Sequence, residues 1–160
     1  PSVGTQALVI QIVPHHNGEV FLSKTAVNQN PAFFGWPFTG QASPKKPGNP
    51  PYPQRTPDPV VDIKVYDANG KLAVRHDLFN LNTVYYEEKS EIRITVPPDV
   101  VKAVPAGSVM VMRQAINQHT LDYDMDIYVQ GTPQYDEYLA ACNQKMPPGG
   151  KAKPRRFGWL

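Results

Sequence analysis

The chain has 160 residues, enough for one domain with a real core, and 16 Lys+Arg against 14 Asp+Glu leave it almost neutral, so net charge gives no argument for a polyanionic partner. A single cysteine, Cys142, excludes an internal disulfide and points to a reducing, cytoplasmic setting. No apolar run is long enough to span a membrane, no signal peptide is expected, and a start at Pro1 fits a piece of a larger protein.

In chain order, residues 1–6 read as a linker, and Ala7–Val13 and Glu19–Ser23 read as strands joined by the turn residues Asn17-Gly18, a predicted β-hairpin. Its tip carries His15, His16, Asn17 and Glu19, all able to probe something polar. Thr25–Gln29 is expected as a short helix, and the closely spaced Phe33, Phe34, Trp36 and Phe38 as a core lid. Gly40–Pro59 reads as a long proline-rich loop; Lys45, Lys46 and Arg55 lie in it with no acid from Gln41 to Pro57.

Val60–Tyr66 alternates, with Val61, Ile63 and Val65 on one face. Asn69-Gly70 turns the chain into Lys71–His76, where Leu72 and Val74 are expected inward. Asp77–Lys89 breaks the pattern as an excursion, and Glu91–Val96 alternates again, with Glu91 and Arg93 on the polar face. A short helix is predicted between Pro97 and Pro105, then strands over Ser108–Met112 and Leu121–Val129. Thr132-Pro133 is an N-cap followed by proline at the first helical position, opening a helix whose stripe is Tyr135, Tyr138, Leu139 and Cys142. Residues 145–160 read as a basic C-terminal tail with Lys145, Lys151, Lys153, Arg155 and Arg156. The fold class expected is mainly β, seven strands with short helices and a C-terminal helix, in an order that favours an open or closed barrel over a sandwich.

Several constellations bear on chemistry. Asp58, Asp62 and Lys64 echo a metal-dependent nuclease pattern, but that chemistry draws its carboxylates from two neighbouring strands, and these are too close in sequence. Asp122, Asp124 and Asp126 open like a calcium loop, yet Ile127 and Pro133 occupy the positions that need glycine and glutamate; a solvated strand face is expected. His15 and His16 have no second pair at ligand spacing, and His76 and His119 are isolated, so no metal or other cofactor is expected. Cys142 falls on an apolar stripe and reads as buried and structural.

Two blocks carry a resemblance. They are Asn17-Gly18-Glu19-Val20-Phe21-Leu22-Ser23-Lys24, running on to Phe33-Phe34-Gly35-Trp36-Pro37-Phe38-Thr39-Gly40, and Tyr85-Tyr86-Glu87-Glu88-Lys89-Ser90-Glu91-Ile92-Arg93-Ile94. The chain resembles the C-terminal region of NgoFVII-type restriction endonucleases, which pair a phospholipase-D-like nuclease with a DNA-binding domain. That domain is similar to the plant "B-three" pseudobarrel and to the recognition domains of BfiI and EcoRII. Val104-Pro105-Ala106-Gly107-Ser108-Val109 resembles a step of the plant domains, with Ser108 where they have aspartate; their tryptophan-rich motifs are absent. The nuclease half would need His-x-Lys, and no histidine here is followed two positions later by lysine.

The resemblance therefore implies a restriction-enzyme module that binds double-stranded DNA without cutting it, its partners being the duplex and the nuclease domain of the same parent chain. Two arms, 14–19 and 78–93, are expected in the major groove. Base contacts are expected from Gln11, His15, His16, Asn17, Glu19, Asn80, Asn82, Tyr85, Tyr86, Glu87, Glu88, Lys89, Ser90, Glu91 and Arg93. Arg93 and Lys89 suit guanine, the amides adenine and the acids cytosine, which implies a target containing G·C pairs. Lys24, Lys45, Lys46 and Arg55 are expected on phosphates. The alternatives are a metal-dependent nuclease using Asp58, Asp62 and Lys64, and a protein- or sugar-binding β-domain.

Overall fold

The computed structural model describes residues 7–42, 48, 50–86, 91–115, 121–146 and 155–160. The fold is mainly β, with two sheets and, among the described residues, no closed barrel. Twelve strands appear among the described residues: β1 (Ala7–Ile12), β2 (Glu19–Ser23), β3 (Gly40–Ala42), β4 (Tyr52–Gln54), β5 (Val60–Tyr66), β6 (Leu72–Asn80), β7 (Thr83–Tyr86), β8 (Glu91–Thr95), β9 (Ser108–Gln114), β10 (Tyr123–Tyr128), β11 (Gln144–Lys145) and β12 (Arg156–Trp159). The helices are α1 (Lys24–Gln29), α2 (Pro31–Phe34), α3 (Pro98–Ala103) and α4 (Pro133–Ala141). One sheet runs β11-β12-β1-β9-β10-β5-β6, the other β2-β8-β7-β4-β3. Neighbours are antiparallel except β10 and β5.

The predicted hairpin of the first two strands does not form. β1 lies between β12 and β9, while β2 pairs with β8 in the other sheet. The reason lies in the side chains. Ala7, Leu8, Val9 and Ile10 are all fully buried, so β1 is apolar on both faces and needs cover on both. Its partner β9 matches it, with Val109, Met110, Val111 and Met112 buried. β2 alternates Glu19, Phe21 and Ser23 against Val20 and Leu22 and has only one core face. The turn between them survives locally: the His15 carbonyl accepts from the Gly18 N–H at 2.9 Å, and the His15 N–H donates to the Glu19 carbonyl. Gly18 takes φ +91°, and a Cβ there would meet the Val96 carbonyl at 2.6 Å.

Between the sheets, Leu8, Ile10, Ile63, Met110, Met125, Ile127 and Phe157 pack with Val20, Leu22, Ile92 and Ile94. Each such side chain, once buried, contributes roughly 1.5–3 kcal/mol. Phe33 and Phe34 join that core, with Trp36 and Phe38 packed against it, as their spacing predicted. A second cluster lies outside the seven-stranded sheet, where Tyr135 and Cys142 cover Ala7, Val9, Val109 and Val111. Thr132 caps α4 by accepting the Tyr135 N–H at 3.0 Å, and Ser23 caps α1 by accepting from Thr25 and Ala26.

Four expectations are corrected. The stretch from Gly40 to Pro59 is not a plain loop, because β3 and β4 pair and β4 joins β7. The excursion after Asp77 holds the end of β6 and all of β7, whose Thr-Val-Tyr-Tyr run pairs with β8. Leu72 points outward, 47% exposed, because a register shift at Val65/Tyr66 sets it opposite Tyr66. Nor does the chain end in a helix and a basic tail: β12 follows α4 and buries Phe157 completely. The expected linker 1–6 and residues 147–154 of that tail lie outside the described residues.

Candidate nucleic-acid interface

Residues of both expected arms meet on the outer face of the five-stranded sheet. Alternation places Glu19, Phe21 and Ser23 of β2 on the face away from Val20 and Leu22. The register puts Phe21 opposite Arg93 and Tyr86 opposite Glu91, so β2, β8 and β7 contribute to one surface.

A chain of hydrogen bonds crosses that surface. In the first turn the Asn17 amide donates to Glu19 Oε1 at 2.7 Å, and its carbonyl oxygen accepts the Glu19 N–H. Glu19 Oε2 accepts from Arg93 Nη1 at 3.2 Å. On the other side, Nε and Nη2 of Arg93 donate to Glu91 Oε2 at 3.3 and 3.2 Å. The guanidinium lies between two rings, 4.4 Å from the centroid of Phe21 and 4.1 Å from that of Tyr86. Phe21 also meets the His15 ring at 4.7 Å and the Arg155 guanidinium at 5.9 Å; Tyr86 meets Tyr52 at 4.8 Å. Burial, and then the charge of Glu19, push the Tyr86 hydroxyl above its ordinary value.

No family model matches the chain, and no curated protein matches it. The arrangement of the residues themselves therefore carries the functional argument.

Arg93, expected at guanine, is 6% exposed, with three donors bonded to two carboxylates and the Phe21 and Tyr86 rings close to its guanidinium. Glu19 and Glu91 are correspondingly committed to it. Tyr85 faces inward with Ile92 and packs on Trp36 at 5.0 Å. The Gln11 side chain accepts the Arg156 N–H at 3.1 Å on the other sheet. Asn80 is exposed where β6 pairs with Val60, and the Asn82 carbonyl accepts the Thr95 N–H. His15, His16 and Asn17 are exposed on the first turn. Glu87, Glu88, Lys89 and Ser90 lie outside the described residues.

The expected phosphate clamps divide similarly. Lys24 holds its ammonium 3.9 Å over Trp36 and donates to Asn28, and burial lowers its pKa. Arg55 turns inward, where Nη1 donates to the Tyr123 hydroxyl at 2.6 Å. That hydroxyl donates in turn to the Phe33 carbonyl. Lys45 and Lys46 lie outside the described residues.

The arms leave opposite ends of the sheet. The first turn enters β2 at Glu19, opposite Thr95, whereas β7 and β8 are connected between Tyr86 and Glu91, level with Ser23. At about 3.3 Å per residue these ends are about 13 Å apart. The two arms thus form the ends of one face, bridged by Arg93.

The nuclease-like residues sit elsewhere. Asp62 Oδ1 accepts the Leu78 N–H at 2.9 Å, and Lys64 pairs with Asp124 at 3.8 Å across the parallel β5–β10 pair. The carboxylates of the neighbouring strand are Asp124 and Asp126, which sequence spacing had set aside. Oδ1 of each is buried without a hydrogen-bond partner among the described residues, while the Asp124 side chain keeps 38% of its surface exposed. No group of three His, Cys, Asp or Glu among the described residues is placed to hold a metal. His76, expected as isolated, bonds Asp99 at 2.8 Å.

Sequence inspection missed Phe21, Tyr52 and Arg155 at this face. For Phe21 the signal was present: it lies two residues from Glu19 on a strand and so shares its side.

Proposed function

We propose that the chain is a sequence-specific double-stranded DNA recognition domain, the binding part of a restriction endonuclease whose nuclease domain belongs to the same parent chain. One observation carries this: the bonded series Asn17–Glu19–Arg93–Glu91 joins the two expected arms across β2 and β8 into a single pre-ordered face. A face about 13 Å long built of strands and a turn suits a major groove about 12 Å wide, which admits a β-ribbon. In this proposal the two sheets act as an open pseudobarrel of the plant B-three kind. Base edges are read from the first turn by His15, His16 and Asn17, with Asn80 and Asn82 beyond β8. The Glu19–Arg93–Glu91 series and its flanking rings hold that turn in position. Binding occurs in the cytoplasm, and this chain does not cut.

Selection from random duplexes with the purified chain tests this. Enrichment of one short site, bound with an affinity that falls steeply with salt, is expected. Absence of any duplex binding at low salt refutes it, and a protein- or sugar-binding domain then stands in its place. Cleavage of the selected duplex on adding magnesium refutes the non-catalytic part alone.

A further inference from the structure

The edge formed by β11 and β12 sets two exposed cations, Lys145 and Arg156, side by side, with no ion pair to either among the described residues. Lys145 lies directly opposite Arg156 in an antiparallel pair at the rim of the seven-stranded sheet, and both are exposed. Directly opposed like charges repel, so this pairing costs stability unless an anion joins it. Arg155 precedes them, and its Nη1 is buried with no hydrogen-bond partner among the described residues. Glu91 is near enough to act on Arg155, but its Oε2 is taken by Arg93. None of the three makes an ion pair among the described residues, whereas Lys64, Arg75 and Arg93 each have a carboxylate.

The backbone beneath these side chains is fixed. Met146 N–H donates to the Arg155 carbonyl at 2.7 Å, Arg156 N–H donates to Gln11 at 3.1 Å, and Phe157 is anchored in the core. The edge also adjoins the first turn, because Arg155 and His15 both lie against Phe21.

We infer that Lys145 and Arg156 clamp the phosphodiester backbone of a DNA duplex beside the first turn. This rests on the DNA-recognition proposal and moves the phosphate contacts away from Lys24 and Arg55, which are spent on Trp36 and Tyr123. A duplex backbone suits a cationic row along a strand edge, and contacts of this type position a protein without reading sequence.

The test compares the full chain with Lys145→Gln/Arg156→Gln by titrating two duplexes of unrelated sequence over a range of salt. The slope of log K against log salt is expected to fall by about 2 on both duplexes, with base preference unchanged. A wild-type chain that binds while the double variant keeps the wild-type slope overturns the clamp and leaves DNA recognition standing. A wild-type chain that binds no duplex overturns both. Should the double variant unfold, Lys145→Gln alone is expected to lower the slope by about 1, and an unchanged slope again overturns the clamp.

Discussion

Arg93→Met takes away the cation between Glu19 and Glu91 while leaving an unbranched side chain between Phe21 and Tyr86. The guanidinium is 6% exposed on its side-chain surface, and the carboxylates are 14% and 18% exposed. Removing one partner of a buried ion pair costs about 3–5 kcal/mol, mostly because the remaining charge is left unpaired. Partial access of water to the carboxylates places the expected loss near the lower end, about 3 kcal/mol. Each lost cation–π contact adds about 0.5–1 kcal/mol, and contact of the new thioether with the rings returns a similar amount. In a domain of this size 1 kcal/mol moves the thermal midpoint by about 2–4 °C, so a fall of about 6–12 °C is expected. Adding Glu19→Gln and Glu91→Gln to the same chain removes the stranded charges and is expected to restore more than half of the loss. Urea denaturation and thermal melting of the single and triple variants measure this. A single-variant loss below about 1 kcal/mol, or a triple variant no more stable than the single, refutes the role given to Arg93. On the proposed DNA-recognition function, any Arg93→Met protein still folded is expected to keep its base preference; loss of preference at one base pair would return Arg93 to direct readout.

Three further outcomes are expected. Thr132→Ala removes the α4 cap and should cost about 1 kcal/mol, seen as a melting point lower by about 2–4 °C; no change would mean the Tyr135 N–H finds another acceptor. Burial, and then the charge of Asp124, hold the Asp126 carboxyl above its ordinary 3.8, so the folded chain binds that proton more tightly and loses stability as pH rises above the unfolded value. Asp126→Asn should therefore stabilise the protein at pH 7 and lose that advantage toward pH 3; a difference independent of pH contradicts the assignment. Burial pushes the Cys142 thiol up to about 11, so iodoacetamide at pH 8 should label it only as denaturant unfolds the chain, and rapid labelling of the native protein would show an open site.

Much of the secondary structure was legible because it follows from local patterns. Val60–Tyr66 alternates, Thr132-Pro133 marks a helix start, and a short helix is expected over Thr25–Gln29; all are found. Pairing was less legible. Asn17-Gly18 specifies a tight turn, and the turn is there, but it does not specify which strand each flank joins. That choice was made by cover on both faces of β1, a demand expressed by the unbroken run Ala7–Ile10 and met by β9 about a hundred residues later. The short strands β3, β4, β11 and β12 have two to four residues each and carry no period long enough to detect; three of them hold proline or glycine as well.

The candidate site shows the same division between side and surroundings. Alternation along β8 correctly placed Glu91 and Arg93 on the face opposite Ile92 and Ile94. It gave no sign that Phe21 and Tyr86, from the strands on either side, would close over the guanidinium. A cation read as a probe becomes a fastener once neighbouring strands supply two rings and a second carboxylate. The converse holds at β11–β12, where basic residues that looked like a solvated tail are fixed opposite one another with no acid between them. In a chain of nearly zero net charge, the cations available to a polyanion are those the fold has left unpaired, and pairing is decided between strands distant in sequence. The salt slope of the proposed DNA binding should consequently track Lys145 and Arg156 and be insensitive to the loss of Arg55, whose Nη1 is bonded to Tyr123. An Arg55→Gln chain that remains folded yet loses as much slope as Lys145→Gln would break the link between unpaired charge and contact on which this assignment depends.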